Sequence, residues 1–114
     1  MAKSQIPDPL RRRHLVEREL PPARSLELAE AYLEQGRALE AVDFLRKAGA
    51  RERLVVLRAE AVAAGDGFLV RMAATALGEP IDRATWLALA ECADAAGKER
   101  NAADARRQAA RGEG

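Results

Sequence analysis

The chain has 114 residues, enough for one domain with a modest core, and a polar start and a Gly-ended tail reduce that core further. Nineteen basic and eighteen acidic residues give a net charge of +1, which excludes a global field that would attract nucleic acid or an anionic membrane. Alanine, leucine, glutamate and arginine dominate, and aromatic residues make up only 4%. Intrinsic propensity therefore favours helices over strands, and we expect an all-α protein.

Residues 1–21 are interpreted as an N-terminal arm that contains one short helix. Asp8 can cap this helix with Pro9 at its first position, and the helix would run from Leu10 to about Leu20, where a pair of prolines ends it. Its apolar residues are too few for it to stand alone. We expect it to lie against the first helical hairpin or to order only with a partner.

The arm also carries a basic cluster, Arg11-Arg12-Arg13, beside His14. Glu17 and Glu19 balance it on a helix, and no aromatic residue interleaves the arginines, so a solvated helix face is favoured over a phosphate contact. No run approaches the roughly 20 apolar residues that a membrane span requires. No apolar stretch follows the charges at the start of the chain, and the expected location is the cytoplasm.

The first helical hairpin is predicted over residues 22–50, with a turn at Gly36. Apolar residues recur at helical spacing on both sides of this turn, first Leu28, Ala29, Tyr32 and Leu33 and then Ala38, Ala41, Val42, Leu45 and Ala48. Two apolar stripes joined by so short a turn must face each other. Small residues such as Ala29 and Ala41 stand where the two backbones approach most closely.

A second hairpin is predicted over residues 51–79, with a turn at Gly65-Asp66-Gly67. The stripe before the turn consists of Leu54, Leu57, Ala61 and Val62. The return helix is predicted to be lined by Phe68, Leu69, Met72, Ala73, Ala76 and Leu77. Gly78 and Pro80 are expected to close this hairpin.

A third hairpin is predicted over residues 81–111, with Asp82 as the cap of its first helix and Gly97 at its turn. Its inner face is predicted to consist of Trp86, Leu89, Ala90, Ala93, Ala102, Ala105 and Ala109. Charged residues on the other side of the last helix suit a terminal helix that closes a stack against water. The only cysteine, Cys92, excludes an internal disulfide and is expected to be a buried small residue rather than a nucleophile.

The three hairpins echo one pattern, with turn glycines 29 and 32 residues apart. The first reads Ser25-x2-Leu28-Ala29-x2-Tyr32, then Gly36, Ala41, Leu45 and Ala48, and the third reads Trp86-x2-Leu89-Ala90-x2-Ala93, then Gly97, Ala102 and Ala109. This pattern resembles the tetratricopeptide repeat, whose period is about 34 residues. The resemblance covers most of the chain, from about Pro22 to Ala110.

Three positions depart from the family pattern. Ser25 replaces its tryptophan, Arg58 stands at the small crossing position of a degenerate second repeat, and Arg106 stands where the family has a large apolar residue. Leu, Ala and Gly at helical spacing also occur in unrelated antiparallel helix bundles, so a bundle stays open as the alternative fold.

The resemblance implies an all-α fold in which three antiparallel helical hairpins form a right-handed stack, with about six helices plus the short N-terminal helix. It also implies that the first helix of each hairpin lines a concave groove. The residues at those positions here are Leu26, Glu30, Leu33, Val55, Ala59, Val62, Leu87, Glu91 and Asp94. Apolar and acidic side chains on one wall suit an apolar and basic segment of another protein. Family members that bind a C-terminal carboxylate use lysine, arginine and asparagine on this wall, and none stands here, so no carboxylate clamp is expected.

The sequence thus predicts a non-catalytic adaptor or scaffold for another protein, with no cofactor and no metal. It contains no Gly-rich phosphate loop, no Cys or His pair at ligand spacing, and no nucleophile-base set around His14 or Cys92. Two alternatives stay open. An uncapped end of the stack could dock on a second copy of the chain, and the cluster Arg11 to Arg13 could join Arg106, Arg107 and Arg111 in a nucleic-acid surface.

Overall fold

The computed structural model describes residues 9–10 and 20–111, and within these residues it contains six α-helices and no strand. The helices are α1 (Pro22–Glu34), α2 (Ala38–Lys47), α3 (Arg51–Ala64), α4 (Gly67–Leu77), α5 (Arg83–Ala95) and α6 (Glu99–Arg111). The expectation of an all-α protein with about six helices is confirmed. The short N-terminal helix and the arginine cluster were predicted on residues that include 11–19, which lie outside the described part of the chain.

The chain forms two compact units, which are here called the first unit (Met1–Leu54) and the second unit (Val55–Gly114). The first unit contains α1 and α2, and the second contains α4, α5 and α6, while α3 runs across the boundary. The division into an arm over residues 1–21 and three hairpins over 22–50, 51–79 and 81–111 stays a prediction.

In the first unit, α1 and α2 pack against each other around a turn at Gly36. Gly36 has φ +71°, and the N–H groups of Gly36 and Arg37 donate to the carbonyls of Leu33 and Tyr32, which closes the end of α1. The predicted stripes form the core between the helices. The residues of these stripes that are buried are Leu28, Ala29, Tyr32, Ala41, Val42 and Leu45, and those that are partly buried are Leu33, Ala38 and Ala48.

The ring of Phe44 completes this core, although it is not part of the apolar stripe predicted from the sequence. Phe44 is fully buried, and its ring stacks on that of Tyr32 with the centroids 5.7 Å apart. It follows Ala41 by three residues on the same helix, so it belongs to a wider apolar stripe than the one predicted. Ser25 is also fully buried, at the position where the family pattern has tryptophan.

In the second unit, aspartate side chains cap the starts of two helices. Oδ1 of Asp66 accepts a hydrogen bond of 3.1 Å from the N–H of Leu69 at the start of α4. Oδ1 of Asp82 accepts one of 2.8 Å from the N–H of Thr85 at the start of α5, so the predicted cap at Asp82 is confirmed.

Helix α4 shows one clear correction to the predicted core. Phe68 was expected on the inner face of this helix but is 60% exposed, while Val70 and Ala74 are buried beside the predicted Leu69, Ala73 and Leu77. The inner face passes through Gly67, Val70, Ala74 and Leu77, at helical spacing. Phe68 lies about 160° around the helix from the fully buried Val70, almost opposite the inner face, and therefore points to solvent.

Helices α5 and α6 bury the residues predicted for the third hairpin. Trp86, Leu89, Ala90 and Ala93 of α5 are buried, and so are Ala102, Ala105 and Ala109 of α6. Cys92 is only partly buried, in contrast to the buried position expected, because it lies at the edge of the inner face of α5.

Candidate functional site

An open cleft in the second unit has a volume of about 380 Å³ and separates α3 from α5. Its walls carry Val55, Arg58, Ala59, Val62, Ala84, Thr85 and Ala88. The α3 residues share one side of their helix because they recur at three- and four-residue spacing, and the same holds for Ala84 and Ala88 on α5. Apart from one arginine and one threonine, the walls are apolar.

The three alanines on the walls leave space in the cleft, while α3 and α5 are held together elsewhere. Gly65, in the turn after α3, lies so close to α5 that an added Cβ would come within 2.6 Å of Cα of Ala93. Beside this contact, Nζ of Lys98 donates to the carbonyl oxygen of Ala64 over 2.8 Å and satisfies the C-terminal end of α3. Backbone contacts at one end thus position α3 and α5, and the alanines further along leave space between them.

The cleft is nearly neutral because the one charged group that the described residues place on its walls, the guanidinium of Arg58, is paired with a carboxylate. Nη1 of Arg58 lies 2.7 Å from Oε1 of Glu79, which follows α4, and the Arg58 side chain is 24% exposed. Arg58 stands where the family pattern has a small residue, and the ion pair turns its charged end toward Glu79. At the neighbouring start of α5, the side chain and the backbone N–H of Thr85 donate hydrogen bonds to Asp82. These bonds favour the ionised carboxylate and lower the pKa of Asp82.

The structure brings together three of the predicted groove residues, Val55, Ala59 and Val62, on the α3 wall of the cleft. The α5 wall is formed instead by Ala84, Thr85 and Ala88, which are not among the residues predicted for the groove. The sequence carried no distinct signal for them, because the alanines of α6 recur at similar helical spacing and are buried.

The other predicted groove residues lie outside this cleft. On α5, Leu87, Glu91 and Asp94 are exposed, and Asp94 forms an ion pair with Arg106 that raises the pKa of that guanidinium group. On α1, in the first unit, Leu26 and Glu30 are exposed and Leu33 is partly buried.

A second depression of about 330 Å³ lies between α4 and the start of α5. Its walls include Arg71, Thr75, Glu79 and Trp86. The guanidinium carbon of Arg71 lies 5.2 Å from the centroid of the Trp86 ring, and Nη2 of Arg71 lies 2.6 Å from Oδ2 of Asp104 on α6. Arg71 therefore connects α4 with both α5 and α6.

Within the described residues, no three His, Cys, Asp or Glu side chains come close enough together to hold a metal ion. The helices over residues 20–111 also include none with the length and apolar composition that a bilayer span requires.

No family model, no curated protein and no solved structure matches this chain. The likeness to the tetratricopeptide repeat therefore rests on the residues of the chain itself.

Proposed function

We propose that this chain is a non-catalytic protein-interaction module, a tetratricopeptide-like adaptor or scaffold built as a right-handed stack of helical hairpins. Its cleft between α3 and α5 binds an apolar segment of another protein, and basic side chains of that segment pair with nearby carboxylates. The observation that supports the proposal is the open apolar cleft, which carries Val55, Ala59 and Val62 on one wall.

The size and lining of the cleft suit side chains presented by a peptide. Its volume lies near the lower end of the roughly 300–1,000 Å³ that is usual for binding pockets. An amphipathic helix presents apolar anchors at three- and four-residue spacing, and an apolar groove between helices is the kind of surface that accepts them. Two or three anchors would displace water from the cleft without burying an unpaired charge, because Arg58 is already paired with Glu79.

The basic part of the proposed ligand rests on Glu91. This residue is exposed and follows Ala88 of the cleft by three residues, so the two lie on neighbouring parts of the α5 surface. Within residues 20–111, Glu91 forms no ion pair, although it lies near enough to Arg106 to help raise the pKa of that guanidinium group, and its exposed carboxylate can accept a lysine or arginine of a partner. Glu30 on α1 has the same exposed, acidic character within the first unit.

The proposal is tested by selecting displayed peptides on the intact chain and measuring the affinity of the enriched sequences. We expect apolar residues at helical spacing, followed by basic residues, among the selected peptides. The double variant Ala59→Gln with Ala88→Gln narrows the cleft from both walls and is expected to weaken binding about tenfold or more, equivalent to roughly 1.4 kcal/mol.

The matched control places the same two substitutions at alanines that are exposed on helices but do not line the cleft, Ala63→Gln and Ala103→Gln. This control is expected to bind as the natural chain does, and both variants should keep the same helical circular dichroism. Glu91→Lys tests the basic part and should weaken the selected basic peptides alone. Undiminished binding by the narrowed cleft would show that the peptides dock elsewhere.

A further inference from the structure

A row of arginines follows one exposed side of α6. Arg100, Arg107 and Arg111 are separated by seven and four residues, so all three lie on the same side of the helix, and all three are exposed. From Arg100 to Arg111 the row is about 16 Å long. None of these residues lines the cleft between α3 and α5.

The row carries far more positive than negative charge. Asp104 is the one carboxylate within it, and its Oδ2 is already held by Arg71 of α4 at 2.6 Å. Arg107 approaches Oδ1 of the same carboxylate only to 3.5 Å and stays 68% exposed. Within residues 20–111, Arg100 and Arg111 form no ion pair. Among the described residues, one carboxylate thus lies among the four arginines Arg71, Arg100, Arg107 and Arg111, a local excess of three positive charges on a chain whose net charge is +1.

Among residues 20–111, the other carboxylates near α6 do not neutralise this side. Glu99 lies about 100° around the helix from Arg100. Asp94 of α5 is paired with Arg106, which projects from a different side of α6. The three exposed arginines of α6 and Arg71 of α4 therefore form a separate surface of the second unit. We call this surface the arginine row (Arg71, Arg100, Arg107 and Arg111).

The spacing of the arginine row favours an acidic helix over nucleic acid. Guanidinium groups pair with carboxylates in a bidentate, directional manner, and a helix with carboxylates at the same seven- and four-residue spacing can meet three arginines along its length. A nucleic acid would find about three cations, whereas strongly salt-dependent binders contact roughly 6–10 phosphates. Asp104 inside the row also repels a continuous line of phosphates. The carboxylates of a helix are spaced apart, so none of them has to lie opposite Asp104.

Phe68 adds an apolar contact beside the arginine row. It is 60% exposed and precedes Arg71 by three residues, so the two side chains are neighbours on the surface of α4. An apolar residue of a docked helix could cover this ring while its carboxylates pair with the arginines, and the contact would add affinity that is insensitive to salt.

We propose that the arginine row, with Phe68 at its edge, is a second interaction surface of this protein and binds an acidic amphipathic helix of a partner. It acts independently of the cleft, so one chain can hold two partners of opposite chemistry.

The test uses a labelled helical peptide with glutamates at seven- and four-residue spacing and one leucine beside them. Its control peptide has the same composition with the glutamates spread around the helix. The natural chain is expected to bind the spaced peptide, more weakly as salt rises. Arg100→Gln, Arg107→Gln and Arg111→Gln together should weaken this binding roughly tenfold or more, because three exposed ion pairs of modest strength are lost. Phe68→Ala should weaken it roughly threefold.

The matched control variant removes the same number of exposed arginines elsewhere, Arg24→Gln, Arg46→Gln and Arg83→Gln, and should bind the spaced peptide unchanged. Equal loss in this control would show a general charge effect and overturn the proposal. So would equal binding of the control peptide, or no binding at low salt. Tighter binding of a single-stranded oligonucleotide or of anionic lipid vesicles than of the spaced peptide would also overturn it, in favour of a phosphate ligand.

Discussion

At the scale of single residues, two turn glycines with the same backbone conformation have different roles. Gly36 and Gly65 have φ values of +71° and +70°, a region that side chains rarely adopt. Apart from the two chain neighbours of Gly36, no described residue has an atom within 4 Å of the place where its Cβ would stand, whereas at Gly65 the Cα of Ala93 lies 2.6 Å from that place. Gly36 is needed only for the left-handed backbone of its turn, whereas Gly65 also lets α5 pack directly against the turn after α3.

Gly36→Ala is expected to destabilise the protein by about 1–2 kcal/mol, the strain of a left-handed alanine. Gly65→Ala should cost about 3 kcal/mol or more, because the strain is joined by a collision that only a backbone shift can relieve. Urea denaturation of the two variants measures the difference. Equal losses of stability would contradict the close packing of this turn on α5.

At the scale of helices, the sequence predicts where each helix begins and ends better than it predicts which side of the helix faces inward. Glycine turns and the Asp82 cap act within a few residues of themselves, so their effect does not depend on distant parts of the chain. The side of α4 that faces inward depends on its neighbours, so the sequence pattern predicts Phe68 in the core, where the structure instead buries Val70 and Ala74. Apolar spacing alone left both sides of this alanine-rich helix acceptable.

The two phenylalanines provide a matched pair that tests these assignments. Phe44→Ala removes a fully buried ring that stacks on Tyr32, and the free energy of unfolding should fall by about 3–5 kcal/mol. Phe68→Ala removes an exposed ring and should change it by no more than about 0.5 kcal/mol. Both values come from urea denaturation, and a comparable loss at Phe68 would place that ring in the core after all.

At the scale of the whole molecule, the arginine row bears on self-association. A twofold pairing of two copies through α6 would set Arg100, Arg107 and Arg111 of one copy against the same residues of the other, and like charges in contact are unfavourable. Charge repulsion of this kind does not disfavour pairing through other faces of the chain. Self-association through those faces therefore stays an alternative to the adaptor function.

Sedimentation equilibrium at several protein concentrations and low salt is expected to give the mass of one chain, 12.4 kDa. An apparent mass that rises with concentration would show that two copies pair, through α6 or through another face. The arginine row would then be tested separately with Arg107→Glu, which should strengthen an association through α6 and leave one through any other face unchanged.

The sequence by itself determined the helices, their turns and a cap, because these features follow from propensity, glycine conformation and hydrogen bonds between residues three or four apart. Only the tertiary structure decided which open sides of the helices border a cleft and which charges are neutralised. The pairs Arg58 with Glu79 and Arg71 with Asp104 join residues 21 and 33 positions apart, and whether such groups meet depends on how the helices pack. Of the residues predicted to line a groove, Val55, Ala59 and Val62 of α3 border the cleft, whereas its α5 wall consists of Ala84, Thr85 and Ala88, because the packing of α3 against α5 decides which side of each helix faces the other.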